Sequence, residues 1–71
     1  MKYAVVFERA DGNYSAYVPD LPGCVATGAT REEVARRIRE AINFHLEGLR
    51  EENLPIPEAS AWTELVEAIT R

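Results

Sequence analysis

The sequence predicts an α+β domain with two layers, an antiparallel β-sheet carrying one long helix on one face. Three observations carry this. The chain opens with two alternating segments joined by Asp11-Gly12-Asn13. A Thr-x-x-Glu cap then precedes a run of apolar residues at helical spacing. Proline and glycine punctuate the chain before and after that run.

Lys2 to Glu8 reads as the first strand, with Tyr3, Val5 and Phe7 on one side and Lys2, Ala4, Val6 and Glu8 on the other. β-branched and aromatic residues suit a pleated, half-buried surface. Asp11-Gly12-Asn13 is hairpin-turn chemistry, because these residues tolerate the left-handed backbone. Tyr14 to Val18 alternates again and closes the hairpin. In Pro19-Asp20-Leu21-Pro22-Gly23-Cys24 the two prolines remove backbone donors and fix φ, so the ladder stops. Gly23 is free to take an angle closed to other residues. Pro19, Pro22, Gly23 and Cys24 therefore form a structural corner. Cys24 to Thr27 reads as a third short strand, ended by Gly28.

Thr30 and Glu33 fit a capping box, with Thr30 accepting from an orphan helix N–H and Glu33 reaching back to Thr30. A helix follows from Arg31 to about Glu52, roughly 30 Å long. Val34, Ala35, Ile38, Ala41, Ile42, Leu46 and Leu49 share one arc that faces the sheet. Glu32 with Arg36 and Glu33 with Arg37 are i,i+4 pairs on the solvent side. Asn53 can close the helix, and Pro55 and Pro57 prevent its continuation. In the tail, Trp62, Leu65, Val66 and Ile69 have helical spacing, while Leu65, Glu67 and Ile69 alternate with Val66 and Ala68 as in a strand. The local pattern leans to helix and leaves both open.

With 71 residues the chain makes one domain, and the composition, 46% hydrophobic and 28% charged, is that of a soluble globular protein. A single cysteine forms no internal disulfide and suits a reducing cytoplasm. No apolar run is long enough to cross a membrane. A net charge of −4 lacks the basic stripe of a nucleic-acid binder and suits a basic partner protein.

Cys24 is the one thiol and His45 the one imidazole. A nucleophilic Cys needs a cation, a base or a helix N-terminus to lower its pKa, and Cys24 sits on a strand well before the helix. A buried Cys acting as a small hydrophobe is the simpler reading. His45 lies within the apolar arc, and one Cys and one His do not make a zinc site. Asp11, Asp20 and Glu8 are scattered, and nothing brings them together as two-metal hydrolysis requires. Neither phosphate-binding glycine pattern is present. No catalytic residue, metal or cofactor is expected. Phe44 stands out as a full-size aromatic on a side strip with Arg37, Ala41 and Gly48, either a contact surface or a seat for the tail at Trp62. With one helix on the sheet, the opposite face is left open with its own apolar strip, so either the tail or another chain covers it.

The order of these motifs resembles the HicB-type antitoxin family. The resemblance spans Lys2 to about Pro57 and is most specific from Tyr17 to Glu33, through Pro19, Asp20, Leu21, Pro22, Gly23, Cys24, Gly28, Thr30, Glu32 and Glu33. It implies a degenerate, non-catalytic ribonuclease-H-like domain of β-β-β-α-β order, with the tail as a fourth strand. Ala29 and Val34 depart from the family's usual residues at those positions. The resemblance implies an antitoxin that covers a small basic toxin of HicA type, an mRNA-cleaving protein of double-stranded-RNA-binding fold. Tyr17, Asp20 and Phe44 are the candidate contacts. Residues 1–71 are expected as a single HicB-like domain without the C-terminal DNA-binding domain of many relatives, so no direct DNA binding is expected. A homo-oligomer is. The alternatives are a small metal-dependent hydrolase or nuclease using Asp11, Asp20 or His45, and a self-assembling domain with another protein partner.

Overall fold

The computed structural model describes residues 1–70. Three strands, β1 (Val6–Ala10), β2 (Asn13–Tyr17) and β3 (Val25–Gly28), form one antiparallel sheet in the order β1-β2-β3, and a single helix, α1 (Arg31–Glu51), follows. Register places Phe7, Ala16 and Ala26 in one row and Val6, Tyr17 and Val25 in the next. Directly paired residues share a face and neighbouring rows point oppositely. The first row faces the helix, because Ala16 is buried against Val34 and Ile38. The second row lies on the open face.

The corner after β2 is two turns laid end to end. Leu21 N–H donates to Val18 O at 3.0 Å and Cys24 N–H donates to Leu21 O at 3.0 Å. Pro19 and Pro22 occupy the second position of each turn, where their fixed φ is already correct. Gly23 has φ +84°, the left-handed value that the third position of a type II turn demands. Val18 N–H reaches Cys24 O at 3.2 Å and closes the corner onto β3. The outcome is that Leu21, flanked by prolines in a loop, is 0% exposed and joins Ala16, Val18, Cys24, Val34 and Ile38 in the core.

β1 differs from the sequence expectation. It begins at Val6 rather than Lys2, because continuing the register would set Ala4 against Pro19, which has no N–H and already lies in the turn. Tyr3 and Val5 still pack against the core, half-buried, without a strand partner. β2 starts one residue early and ends at Tyr17, and β3 runs from Val25 to Gly28 rather than from Cys24 to Thr27.

At the helix start, Thr30 Oγ1 accepts from Glu33 N–H at 3.0 Å, and Glu33 Oε1 takes the N–H of Ala29 at 3.3 Å, one residue before the expected Thr30. Glu33 also pairs with Arg37 at 3.0 Å. Arg36 turns forward to Glu40 at 3.7 Å, not back to Glu32. α1 ends in a Schellman motif: Leu54 N–H bonds Leu49 O at 2.9 Å, Asn53 N–H bonds Arg50 O at 3.1 Å, and Asn53 takes φ +56°. Gly28 lets α1 approach β3, since a Cβ there would stand 2.8 Å from Val34 N and 3.1 Å from Val34 Cα. Among the described residues, 54–70 form neither helix nor strand within this chain, so the fourth strand that the resemblance implies is not seen there.

Two substitutions test this frame by chemical denaturation. Leu21→Ala should cost about 2–5 kcal/mol, the range for emptying a closed apolar site. Gly28→Ala should cost about 1–3 kcal/mol, because the obstructing atoms are backbone. A loss below about 0.5 kcal/mol at either position would show that the corner or the docking is not rigid.

Candidate partner-binding surface

α1 lies across β2 and β3. On the β3 side the apolar residues that remain exposed are connected. Tyr17 pairs directly with Val25 across the open face, and both are exposed, Val25 at 63%. Val25 and Phe44 line the same shallow groove, with Gly23, Cys24, Ala41 and His45. Phe44 is 80% exposed. Tyr17, Val25 and Phe44 thus run from the open sheet face round the β3 edge onto the helix. Tyr17 and Phe44 are visible in the sequence as candidates; Val25, the residue that joins them, is not. Its cue is the strand alternation of Val25 against the inward Cys24 and Ala26.

Phe44 does not pack on Trp62, since both are exposed. On the helix its neighbours three, four and seven residues away include the exposed Glu47 and Glu51, Glu40, which pairs with Arg36, and Arg37, which is held by Glu33 and Thr27. An apolar knob is therefore set among carboxylates, a pattern suited to a basic protein surface. Arg37 crosses from α1 to donate from Nη1 to Thr27 O at 3.0 Å, which occupies part of the β3 edge.

Asp20 sits apart from this ridge. Its Oδ2 accepts from the N–H groups of Ser60 and Ala61, each at 3.0 Å, and its Oδ1 accepts from Ser60 Oγ at 2.8 Å. Tyr3 Oη donates to Pro57 O at 2.5 Å. Together they clasp the start of the tail. The Ala61 N–H, then the Ser60 hydroxyl, hold the Asp20 carboxyl below its ordinary 3.8.

Cys24 is buried, and that burial pushes its thiol up, away from nucleophilic thiolate. His45 is half-buried beside it in the groove. Asp11 lies in the β1–β2 turn, Asp20 in the corner and His45 on α1, so the three candidates of the hydrolase reading are not brought together. Among the described residues no group of three or more His, Cys, Asp or Glu side chains could hold a metal ion. No described helix is long and apolar enough to cross a membrane.

Comparison with known proteins matches residues 3–70 to the family described as "HicB_like antitoxin of bacterial toxin-antitoxin system". A UPF0150 protein of Thermoplasma acidophilum is 42% identical over 62 residues, covering 86% of this chain and 90% of that protein. An uncharacterized 14.9 kDa protein of Haemophilus phage HP1 is 37% identical over 60 residues, covering 84% of this chain and 45% of its own length. Antitoxin HicB 2 of Photorhabdus laumondii is 30% identical over 73 residues, covering 97% of this chain and 52% of its own. The chain thus spans about half the length of the last two.

The clasp makes a pH prediction. A carboxylate whose folded pKa is depressed contributes fully above its unfolded value, and the contribution disappears as pH falls through the folded one. The Ser60 and Ala61 amide resonances should therefore hold steady from neutral pH down to about pH 4 and shift below it. Asp20→Asn should abolish the transition. Amides that do not respond to acid would show that the clasp does not form.

Proposed function

Because the chain belongs to the HicB-like antitoxin family of bacterial toxin-antitoxin systems, we propose that it captures a small basic toxin of HicA type and covers the surface with which that toxin engages RNA. The observation that carries this reading is the exposed ridge of Tyr17, Val25 and Phe44 with its carboxylate rim. A toxin that grips RNA carries cationic side chains for phosphates. Glu47 and Glu51 supply the opposite charge, and the net charge of −4 steers the encounter. Phe44 is the anchor. A large aromatic standing out of a helix brings much contact area at little entropic cost, as binding hot spots do.

The mechanism is occlusion without chemistry. The partner's RNA path is filled by an aromatic knob, and its cations are paired with carboxylates in place of phosphates. Tyr17 and Phe44 are contact residues in this reading. Asp20 acts one step away, by fixing where the tail leaves the body.

The test is calorimetric titration against a catalytically inactive HicA-type toxin, beside rescue of growth from the active one. Phe44→Asp and Val25→Asp should each weaken binding by a factor of about ten to a hundred, the range of a hot-spot residue, and should lose rescue with the far-UV circular dichroism spectrum retained. Affinity unchanged by both substitutions would overturn the surface. A chain that binds no such toxin would overturn the function.

A further inference from the structure

We infer that two copies of this chain associate by reciprocal exchange of their tails, residues 62–69 of each adding as a fourth strand along the β1 edge of the other. The chain carries both halves of this contact, and within one copy neither is satisfied.

The donor is the tail. Beyond the clasp at Ser60 and Ala61, Trp62, Leu65, Val66 and Ile69 are exposed, Leu65 at 105% and Ile69 at 88%. Trp62 Nε1 donates to Glu64 Oε2, two residues along the tail, at 2.8 Å. The molecule measures 52 Å along its longest axis, while α1 alone accounts for about 31 Å. Pro55 and Pro57 stiffen the connection, and the contacts of Tyr3 and Asp20 fix its exit. Eight residues of strand reach about 26 Å, more than enough to run the length of β1.

The acceptor is the β1 edge. Among the described residues β1 pairs only with β2, and Lys2–Val5 continues it without a strand partner. The opposite edge is less open, since Arg37 occupies Thr27 O there. Because α1 lies over β2 and β3, the helix side of β1 overhangs a groove of about 560 Å³, walled by Phe7, Tyr14, Val34 and Ala35 and rimmed by two bases, Arg9 and Arg31, and two acids, Glu8 and Glu32. A strand added at this edge turns every second side chain into that groove. The groove offers apolar walls and a rim of balanced charge. The tail offers apolar side chains spaced by Glu64 and Glu67.

A second copy is the occupant that these features favour. One two-fold axis satisfies both tails and both edges with the same contact made twice, as an isologous interface does. Seating Leu65 and Ile69, which share one face of the added strand, removes roughly 300 Å² per chain from water. Two tails with their receiving surfaces bring the total to about 1,200 Å², the lower end of the range for specific interfaces. The β3-side ridge stays free, so toxin capture and self-association use opposite edges and are separable by experiment.

Sedimentation equilibrium of the full chain should give twice its 8.0 kDa mass. Leu65→Asp/Ile69→Asp should sediment as one chain and keep the helical circular dichroism signal. A refolded equimolar mixture of ¹³C-labelled and unlabelled chains should show isotope-filtered NOEs from the Leu65 and Ile69 methyls to the Phe7 and Tyr14 rings of the other chain. Three results would overturn the inference. One is a single-chain mass for the unaltered protein. Another is the same NOEs confined within one chain, which means the tail folds back on its own β1. The third is a dimer with no such NOEs, joined instead through the open face at Val6 and Tyr17.

Discussion

Burial of Leu21 is the contact on which the rest of the molecule depends. A leucine between two prolines would ordinarily be read as loop surface, yet here it has no exposed area and touches the inner face of the sheet and helix together. Removing one such side chain from water is worth about 1.5–3 kcal/mol, a large share of what so small a domain has to spare. To put Leu21 inside, the backbone must turn twice within six residues, and the two prolines and Gly23 make both turns possible. The consequences spread from there. The corner ends β2 at Tyr17, seats Cys24 in the core and starts β3. By removing the donor opposite Ala4 it also shortens β1. It presents Asp20 outward, where the carboxylate clasps the tail. One plugged corner thus settles the strand lengths, the state of the only thiol and the direction in which the chain leaves its body.

Much of this was legible in residue types, and the remainder was not for identifiable reasons. Asp11-Gly12-Asn13, Pro19, Pro22, Gly23, Thr30, Glu33 and Asn53 act through local backbone chemistry, which spacing along the chain reveals. Leu21 is not legible as a core residue, because its burial comes from where the corner folds to, a tertiary fact. The extent of β1 was overestimated at its start because alternation in Lys2–Val5 reports which side faces the core, not whether a partner strand exists. Tyr3 and Val5 do face the core. Spacing pairs Arg36 with Glu32, but Glu40 stands at the same spacing on its other side, and sequence offers no means of choosing. The ridge was half visible: Tyr17 and Phe44 are conspicuous aromatics, whereas Val25 belongs to it only through pairing with Tyr17 across the sheet. The tail is undecided in the sequence because its pattern fits helix and strand alike, and beyond the clasp Trp62, Leu65, Val66 and Ile69 stand exposed.

The two sheet edges differ in a way that separates their roles. At β3, Gly28 allows the helix to sit so close that a methyl group would collide with Val34, and Arg37 reaches over to occupy an edge carbonyl. Such blunting is how proteins discourage strand addition. The side chains left exposed there, Val25 and Phe44, offer contact to a partner through their surfaces rather than through backbone pairing. At β1 nothing comparable guards the edge, and Phe7 hangs over a groove instead of a helix. The proposed toxin surface and the proposed exchange site follow from this asymmetry, one made of side chains and one of backbone with a groove beneath.

The open surface also has a thermodynamic meaning. The core of Ala16, Val18, Leu21, Cys24, Val34 and Ile38 is small, and among the described residues neither a disulfide nor a metal cluster supplements it. Domains of this size often gain by association what their cores lack. Whatever occupies the β1 groove or the Phe44 ridge binds only the folded chain, because both sites exist only when the corner is closed and α1 is docked. Binding therefore raises stability by mass action, more so as the occupant's concentration exceeds its Kd. The clasp adds a local gain. With Ser60 and Ala61 already held, an exchanging tail loses less freedom on docking than a tail that starts to be free at Asn53, since the entropy of ordering the intervening residues has been spent inside the monomer. Asp20 thus links the two ends of the physical account, because the carboxylate that the corner turns outward is the one that makes the tail ready to bind.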